Sequence, residues 1–326
     1  MSALKMAETL LETIELTKSF RVRRAAFGGK RLEYVAVDRV SLSVGEGETL
    51  GLVGESGCGK STLALTAMRL YEPTGGRIVF AGQDITCLDE RALKPVRRQM
   101  QMVFQDPLAS LDPRLTVEQI VGEPLVIHQT GTREERAAAV GRLLERVGLD
   151  ALDMHRYPAE FSGGQQQRIG IARALALRPR LLICDEPVSA LDVSVQAQIL
   201  NLLRDLQDEF RLAYLFISHN IAVTAFMSRR IGVMYLGRVV ETGASWQIVN
   251  APRHPYTQAL VAAVPEPDPS RRVDDGGVRG DVPDIAGRPS GCTFRTRCPL
   301  AERRCETEEP QLRRVGEGHE VACHFA

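Results

Sequence analysis

The sequence lacks three features that would each point to a different class of protein. It contains no run of about 18 apolar residues, the length that a membrane-spanning helix needs. It carries no net charge, because 41 basic residues balance 41 acidic ones, so bulk electrostatics do not favour a nucleic-acid-binding protein. Glutamates interrupt the opening stretch MSALKMAETLLETIEL, so we expect no signal peptide and a cytoplasmic chain that reaches a membrane only through a partner.

The sequence does contain an alternation of short apolar runs with amphipathic stretches. TLGLVG, RLLIC and LAYLFIS predict buried strands, while KSTLALTAMRL, QQRIGIARALALRP and SVQAQILNLLRDLQDEF predict helices. Strands that alternate with helices form a parallel sheet covered on both faces, so we expect an α/β core. Nearer the N-terminus, LETIELTKSF and RVSLSV predict strands of an antiparallel β region, with a hairpin turn at Gly28 and Gly29.

A helical stretch interrupts this core, and a different composition follows it. In the helical stretch, Thr132 and Glu135 can form a capping box and Gly148 can end the helix. Beyond about residue 250, a Pro-, Gly- and Asp-rich stretch predicts a linker or an extended surface segment. The predicted domains are an α/β core of residues 8–106 and 166–250, a helical subdomain of residues 107–165, and a C-terminal extension of residues 251–326.

The stretch GESGCGKST matches the phosphate-binding pattern G-x-x-x-x-G-K-[ST] between a predicted strand and a predicted helix, as that pattern requires. Backbone N–H groups of such a loop hold the β- and γ-phosphates of a nucleotide. Lys60 is expected to reach the phosphates and the Ser61 hydroxyl to ligate Mg²⁺. We call residues 54–62 the phosphate loop; its predicted ATP-binding residues are Gly54, Glu55, Ser56, Gly57, Cys58, Gly59, Lys60, Ser61 and Thr62.

Two adjacent acids, Asp185 and Glu186, end the predicted strand RLLIC. In a fold with a phosphate loop, an acid at the tip of a neighbouring strand binds the Mg²⁺ of the nucleotide, which is the role expected of Asp185. The second acid, Glu186, is expected to orient or deprotonate the attacking water.

The stretch FSGGQQQR indicates a family, because the sequence here resembles the ATP-binding subunits of ABC transporters. The motifs occur in the order typical of that family, from about residue 10 to residue 245. A helix beginning after the serine of this stretch offers a second phosphate-binding N-terminus. The matched residues are Ser162, Gly163, Gly164 and Gln165 for the signature motif, Ser189, Ala190, Leu191 and Asp192 for the D-loop, Gln105 for the Q-loop, His219 for the switch histidine, and Phe20 for the aromatic that stacks on adenine.

This resemblance implies a RecA-like P-loop NTPase that hydrolyses ATP with Mg²⁺. In the family, the signature motif of one subunit faces the phosphate loop of a second, so that ATP is sandwiched between two ATPase subunits. It further implies that Glu186 polarises the attacking water and that His219 contacts the γ-phosphate. Gln105 joins Ser61 and Asp185 as a Mg²⁺ ligand.

The stretch HPYTQALVAAVP, residues 254–265, resembles the C-terminal extension of di- and oligopeptide importers. That resemblance implies a second ATPase subunit, two membrane permease subunits, a substrate-binding protein that delivers the peptide, and a peripheral place on the cytoplasmic face of the inner (plasma) membrane. It implies no nucleic-acid partner. One departure is Asn220-Ile221 after His219, where the subfamily usually has Asp-Leu. The alternative is an ABC-type ATPase in a soluble complex that transports nothing.

Four cysteines form the spacing Cys292-x5-Cys298-x6-Cys305-x17-Cys323, and we call residues 292–323 the cysteine segment. A reducing compartment disfavours disulfides, and zinc sites favour shorter paired spacings. Four thiolates suit an iron–sulfur cluster, whose negative charge four interspersed arginines would offset, and similar tails in the importer subfamily are associated with a [4Fe-4S] cluster. Zinc or no metal remains open. A fifth cysteine, Cys58 of the phosphate loop, is either redox-sensitive or simply a small residue that fits.

Overall fold

The computed structural model describes residues 8–22, 32–264, 280, 283 and 287–326. The predicted hairpin turn at Gly28 and Gly29 and most of the predicted linker lie outside these ranges. The strands are β1 Thr9–Val22, β2 Leu32–Gly45, β3 Thr49–Val53, β4 Gly75–Phe80, β5 Gln83–Asp84, β6 Met100–Val103, β7 Leu181–Asp185, β8 Ala213–Ser218, β9 Arg230–Tyr235, β10 Arg238–Ala244, β11 Arg313–Gly316 and β12 His319–Val321. The α-helices are α1 Lys60–Ala67, α2 Glu90–Gln99, α3 Pro107–Ser110, α4 Val117–Ile127, α5 Arg133–Arg146, α6 Gly163–Leu175, α7 Val193–Phe210, α8 Ile221–Met227, α9 Ser245–Asn250, α10 Pro255–Ala262 and α11 Arg303–Thr307.

The chain divides into two compact units. The first unit consists of Met1–Leu10, Gly45–Glu48 and Cys87–Phe216. The second unit consists of Leu11–Val44, Thr49–Thr86 and Ile217–Ala326. None of the described helices combines the length and the apolarity needed to cross a membrane.

The first unit contains a parallel pair of strands and most of the helices. Strands β6 and β7 run parallel, with Met100 opposite Leu181 and Val103 opposite Cys184. Helix α5 begins with the predicted capping box, in which Thr132 Oγ1 accepts the Glu135 N–H at 3.3 Å and Glu135 Oε2 accepts the Thr132 N–H at 2.7 Å. These reciprocal bonds satisfy N–H groups that no helical carbonyl can reach.

The second unit contains an antiparallel sheet and a mixed sheet. The antiparallel sheet has the strand order β2-β1-β4-β5. In the mixed sheet, β3 lies parallel to β9. Strand β10 pairs with the other side of β9 and runs antiparallel to β9. Beyond β10, the sheet continues with β12 and then β11, each antiparallel to its neighbour. Buried β-branched and aromatic side chains such as Val53, Val233 and Tyr235 form its core. The predicted α/β fold with an N-terminal antiparallel region is confirmed.

A buried carboxylate, Glu241 of β10, ties the C-terminal elements to this sheet. The Glu241 side chain is fully buried, and its Oε1 and Oε2 accept the backbone N–H groups of Arg253 at 2.8 Å and His254 at 2.9 Å, just before α10. His319 of β12 lies with its Nε2 at 2.7 Å from the same carboxylate. One side chain thus fixes both the start of α10 and the position of β12.

Candidate functional site

The phosphate loop follows β3 and leads into α1 within the second unit, which is the context the sequence predicts. Two of its glycines are required by close backbone packing. A Cβ on Gly54 would lie 2.2 Å from the Met234 carbonyl oxygen, and a Cβ on Gly59 would lie 2.2 Å from the Ala36 carbonyl oxygen. Gly59 also has a φ of 104°, a left-handed conformation that only glycine adopts without strain.

Lys60 is buried at the start of α1, and its ammonium lies over the phosphate loop. Its Nζ donates hydrogen bonds to the carbonyl oxygens of Gly54 at 2.7 Å and Glu55 at 3.0 Å. The next residue, Ser61, is exposed in the first turn of the helix, so its hydroxyl is accessible to a ligand. This part of the loop therefore contains the cation and the hydroxyl that the phosphate-binding pattern requires.

Cys58 is buried within the phosphate loop, with only 1% of its surface exposed. Burial raises the pKa of its thiol, because a thiolate would lose its hydration there. The Gly237 N–H donates to the Cys58 carbonyl oxygen at 2.8 Å, which anchors the loop to the turn between β9 and β10. A buried, protonated thiol reacts slowly with oxidants, so the interpretation of Cys58 as a small packing residue is favoured over a redox-sensitive one.

Two residues far along the chain hold Glu55 of the loop, and sequence reasoning assigned neither of them to this site. The Glu55 N–H donates to the Tyr256 hydroxyl at 2.8 Å. The Glu55 carboxylate accepts hydrogen bonds from both terminal nitrogens of Arg297, at 2.6 and 2.9 Å. Tyr256 lies in the importer-like stretch and Arg297 in the cysteine segment. Both stretches were recognised in the sequence, but nothing in it indicates that they reach the phosphate loop.

Phe20, the predicted adenine-stacking residue, stands in an aromatic group of the second unit. Its ring stacks on Tyr34 with centroids 5.5 Å apart and meets Tyr71 edge-on at 5.5 Å. The Lys18 ammonium lies 4.9 Å from the Phe20 ring centroid. Tyr34 and Tyr71 are further candidates for contact with a purine ring, because aromatic faces stack on one another and on bases.

His219 is exposed directly after β8. The residue that follows it, Asn220, is where the sequence departs from the subfamily pattern. Asn220 caps α8, because its Oδ1 accepts the N–H groups of Ala222 at 2.9 Å and Val223 at 3.2 Å. Asn and Asp serve about equally well at a helix N-cap. The replacement therefore keeps the turn that presents His219.

In the first unit, Gln105 and Glu186 are brought into direct contact. Gln105 Nε2 donates to Glu186 Oε2 at 3.1 Å, and Asp185, buried at the end of β7, precedes that glutamate. Glu186 has a φ of 48°, a left-handed backbone conformation that costs energy for a residue other than glycine. The Ser189 N–H donates to the Glu186 carbonyl oxygen at 3.2 Å and so holds this turn.

The signature residues of the first unit form the start of α6 and pack against α7. Ser162 and Gln165 form a capping box, with the Ser162 N–H donating to Gln165 Oε1 at 3.0 Å. A Cβ on Gly164 would lie 2.5 Å from Cγ1 of Val195, so glycine permits the close approach of the two helices. The D-loop residue Asp192 precedes α7 and is exposed.

The four cysteines of the cysteine segment lie in one neighbourhood. The Cys292 N–H donates to the Cys305 carbonyl oxygen at 2.9 Å. Burial is the main reason that the pKa of the Cys292 thiol is raised to about 11, and the nearby thiols of Cys305, Cys298 and Cys323 also raise it. Within the part of the chain that the structure describes, no group of three or more His, Cys, Asp or Glu side chains could hold a metal ion. The iron–sulfur prediction therefore gains no support from the side-chain arrangement.

Three arginines of the cysteine segment have other partners, which weakens the expectation that they offset a cluster's charge. Arg297 binds Glu55, Arg304 binds Glu308 at 2.7 Å, and Arg295 donates to the Ser290 carbonyl oxygen at 3.0 Å.

Comparison with known sequences gives two family matches and a relative over almost the full length. Residues 37–189 match the family described as ABC transporter, and residues 240–305 match the oligopeptide/dipeptide transporter, C-terminal region. The oligopeptide transport ATP-binding protein AppF of Bacillus subtilis (strain 168) is 51% identical over 321 residues, which cover 98% of each chain.

Solved structures agree with this relationship. The ATP-binding cassette MJ0796, in a dimeric post-hydrolysis state with ADP and Pi, superposes with a TM-score of 0.65 at 30% identity, covering 72% of this chain and 99% of that one. CbiO1 from Clostridium perfringens, part of the ABC transporter complex CbiONQ, gives a TM-score of 0.63 at 26% identity, covering 74% and 90%. The chain therefore belongs to the ABC transporter family and is one of its ATP-hydrolysing subunits.

Proposed function

We propose that this ATPase powers the import of peptides, or of related small solutes, through a membrane transporter. The observation that carries the proposal is the match of residues 240–305 to the oligopeptide/dipeptide transporter, C-terminal region. The likeness to an oligopeptide transport protein over 98% of both chains supports it. Both findings favour a transporter over the alternative of a soluble complex.

We assign the ATPase roles by motif and by the local geometry of each unit. The backbone N–H groups of the phosphate loop and the Lys60 ammonium bind the β- and γ-phosphates of ATP, and Phe20 stacks on its adenine. Ser61, Gln105 and Asp185 have the hydroxyl, amide and carboxylate oxygens that Mg²⁺ prefers, so they would hold the ion, which supplies charge neutralisation at the phosphates. His219 contacts the γ-phosphate.

Glu186 is the proposed general base. Its carboxylate already accepts a hydrogen bond from Gln105, which orients the group. A positioned carboxylate can take a proton from water as the water attacks phosphorus. The signature residues 162–165 and the D-loop residues 189–192 are proposed to contact ATP and the phosphate loop of a second ATPase subunit, a paralogue or another copy of this chain.

The proposed partners are that second ATPase subunit, two membrane permease subunits and, through them, a substrate-binding protein. The proposed location is peripheral, on the cytoplasmic face of the inner (plasma) membrane. We expect the affinity-tagged chain, recovered from detergent-solubilised membranes, to bring down two strongly apolar proteins together with a paralogous ATPase or an untagged copy of this chain. Recovery of water-soluble partners alone would contradict the transporter assignment and favour the soluble complex.

We propose that the cysteine segment binds a [4Fe-4S] cluster through Cys292, Cys298, Cys305 and Cys323, with zinc the less favoured occupant. The donor set supports this, because four thiols of one neighbourhood are the usual ligands of such clusters. The cluster would supply cross-links to a segment with few apolar residues of its own. The function of the ATPase does not require its redox chemistry.

We expect protein purified without oxygen to be brown and to contain iron and acid-labile sulfide. Cys298→Ser should lose the visible absorption and the iron, whereas Cys87→Ser should retain both, because Cys87 is exposed and lies outside the segment. Metal analysis and visible spectra of the two variants make the comparison. A colourless, iron-free protein loaded with zinc would contradict the cluster assignment.

A further inference from the structure

The cysteine segment reaches the phosphate loop through one shielded ion pair. Arg297 Nη1 and Nη2 donate to Glu55 Oε2 and Oε1 at 2.6 and 2.9 Å. This bidentate geometry fixes both side chains. The Arg297 side chain is 5% exposed and that of Glu55 is 26% exposed. Salt and water therefore screen this pair less than they screen a surface pair.

A second hydrogen bond restrains the backbone of the same loop residue. Tyr256 is fully buried and accepts the Glu55 N–H at 2.8 Å. Its ring packs against Tyr235 and Phe294, with centroids 4.7 and 5.4 Å away, and the Arg297 guanidinium lies 5.9 Å from the Tyr235 centroid. Arg297 thus holds the side chain of Glu55, and Tyr256, packed in the same aromatic cluster, holds its backbone.

The position of Glu55 affects the groups that bind phosphate. Its carbonyl oxygen accepts the Cys58 N–H at 3.3 Å and the Lys60 ammonium at 3.0 Å. A shift of Glu55 would therefore move the turn of the loop and the cation together. Its carboxylate also carries a negative charge in a loop that binds anions, and pairing with Arg297 neutralises that charge.

We propose that Arg297 is a positioning residue for ATP binding, which clamps Glu55 so that the phosphate loop keeps the conformation and the charge that receive the phosphates of ATP. This proposal rests on the assignment of the phosphate loop under the proposed function. Tyr256 and Arg297 both lie in the stretch that matches the oligopeptide/dipeptide transporter region. That region, which follows the ATPase core in sequence, then has a part in nucleotide affinity.

We expect Arg297→Gln to raise the Kd and the KM for MgATP about tenfold, with a much smaller change in kcat, because the coupling between contacting residues such as Arg297 and Glu55 is commonly about this large. MgATP binding and phosphate release by the full-length chain measure these constants. Arg303→Gln is the matched control, because Arg303 is exposed in α11 of the same segment, and it should bind MgATP as the parent does.

Two further variants separate positioning from a general loss of structure. Arg297→Lys keeps the charge but not the two-bonded geometry, so its Kd should be intermediate. Adding Glu55→Gln to Arg297→Gln removes the uncompensated carboxylate, so the double variant should bind MgATP more tightly than Arg297→Gln alone. If Arg297→Gln does not fold, the Kd of Arg297→Lys against the parent decides, and an unchanged value overturns the proposal.

The outcomes also distinguish this proposal from the assignment on which it rests. If Lys60→Ala abolishes MgATP binding while Arg297→Gln binds like the parent, only the positioning role is wrong. If Lys60→Ala itself binds MgATP like the parent, the assignment of the phosphate loop is wrong. Strictly additive effects of Glu55→Gln and Arg297→Gln would also overturn the positioning role, because residues that act through their mutual contact are not additive.

Discussion

Replacing Glu186 with Gln is expected to lower kcat for ATP hydrolysis about a hundred- to ten-thousand-fold, the usual contribution of a positioned general base. The amide keeps the shape of the side chain but cannot take a proton from water. The loop and helix termini that bind phosphate are unchanged, so MgATP should still bind, and the chain should accumulate as an ATP-bound dimer. Phosphate release, nucleotide retention and size-exclusion chromatography measure these effects.

The control for Glu186→Gln is Glu145→Gln, the same chemical change at an exposed position of α5. It should hydrolyse ATP at the parent rate. If Glu186→Gln also hydrolyses ATP at the parent rate, Glu186 is not the base. A loss of both binding and hydrolysis would instead indicate damage to the turn after β7, where Glu186 has its left-handed backbone.

The second large effect is expected at Glu241, where Glu241→Leu should lower the free energy of unfolding by about 3–5 kcal/mol. Leucine has a similar size but accepts no hydrogen bond, so the N–H groups of Arg253 and His254 and the ring of His319 lose their acceptor. Each such loss inside a protein costs about 1–3 kcal/mol. The midpoint and slope of the urea unfolding curve of the purified chain measure this change in the free energy of unfolding.

Two other variants calibrate the Glu241 result. Glu241→Gln keeps one oxygen that can accept a backbone N–H, so it should lose less stability than Glu241→Leu. Glu145→Leu makes the same substitution at an exposed helical site, where the change should stay within about 0.5 kcal/mol. An unchanged urea midpoint for Glu241→Leu would show that the buried carboxylate does not hold the C-terminal elements in place.

Features that depend on neighbouring residues could be predicted from the sequence. The capping box of Thr132 and Glu135 was predictable because its partners are three residues apart and both bonds lie within one turn of helix. The phosphate loop was predictable for a similar reason, since its strand, glycines and helix are contiguous. The order of the remaining motifs gave the family and hence the fold.

Features that depend on distant pairing could not be predicted. Glu55 and Arg297 are 242 positions apart, and neither residue type nor spacing indicates that they meet. The contact of Gln105 with Glu186 spans 81 positions, and the left-handed backbone of Glu186 follows from tertiary packing rather than from residue preference. The iron–sulfur prediction rested on the number and spacing of the thiols, on the expected compartment and on a resemblance, while a metal site also requires side-chain directions that spacing does not fix.

The hairpin of β11 and β12 has a consequence for how the molecule behaves in concentrated solution. β12 pairs with β10, placing Val321 opposite Glu241 and Glu320 opposite Thr242. A chain cut before this hairpin would leave β10 as a bare sheet edge, whose free N–H and C=O groups can recruit strands from other molecules. Residues 313–321 therefore replace the edge of β10 with the shorter edge strand β11, and a form truncated before them should associate with itself more readily.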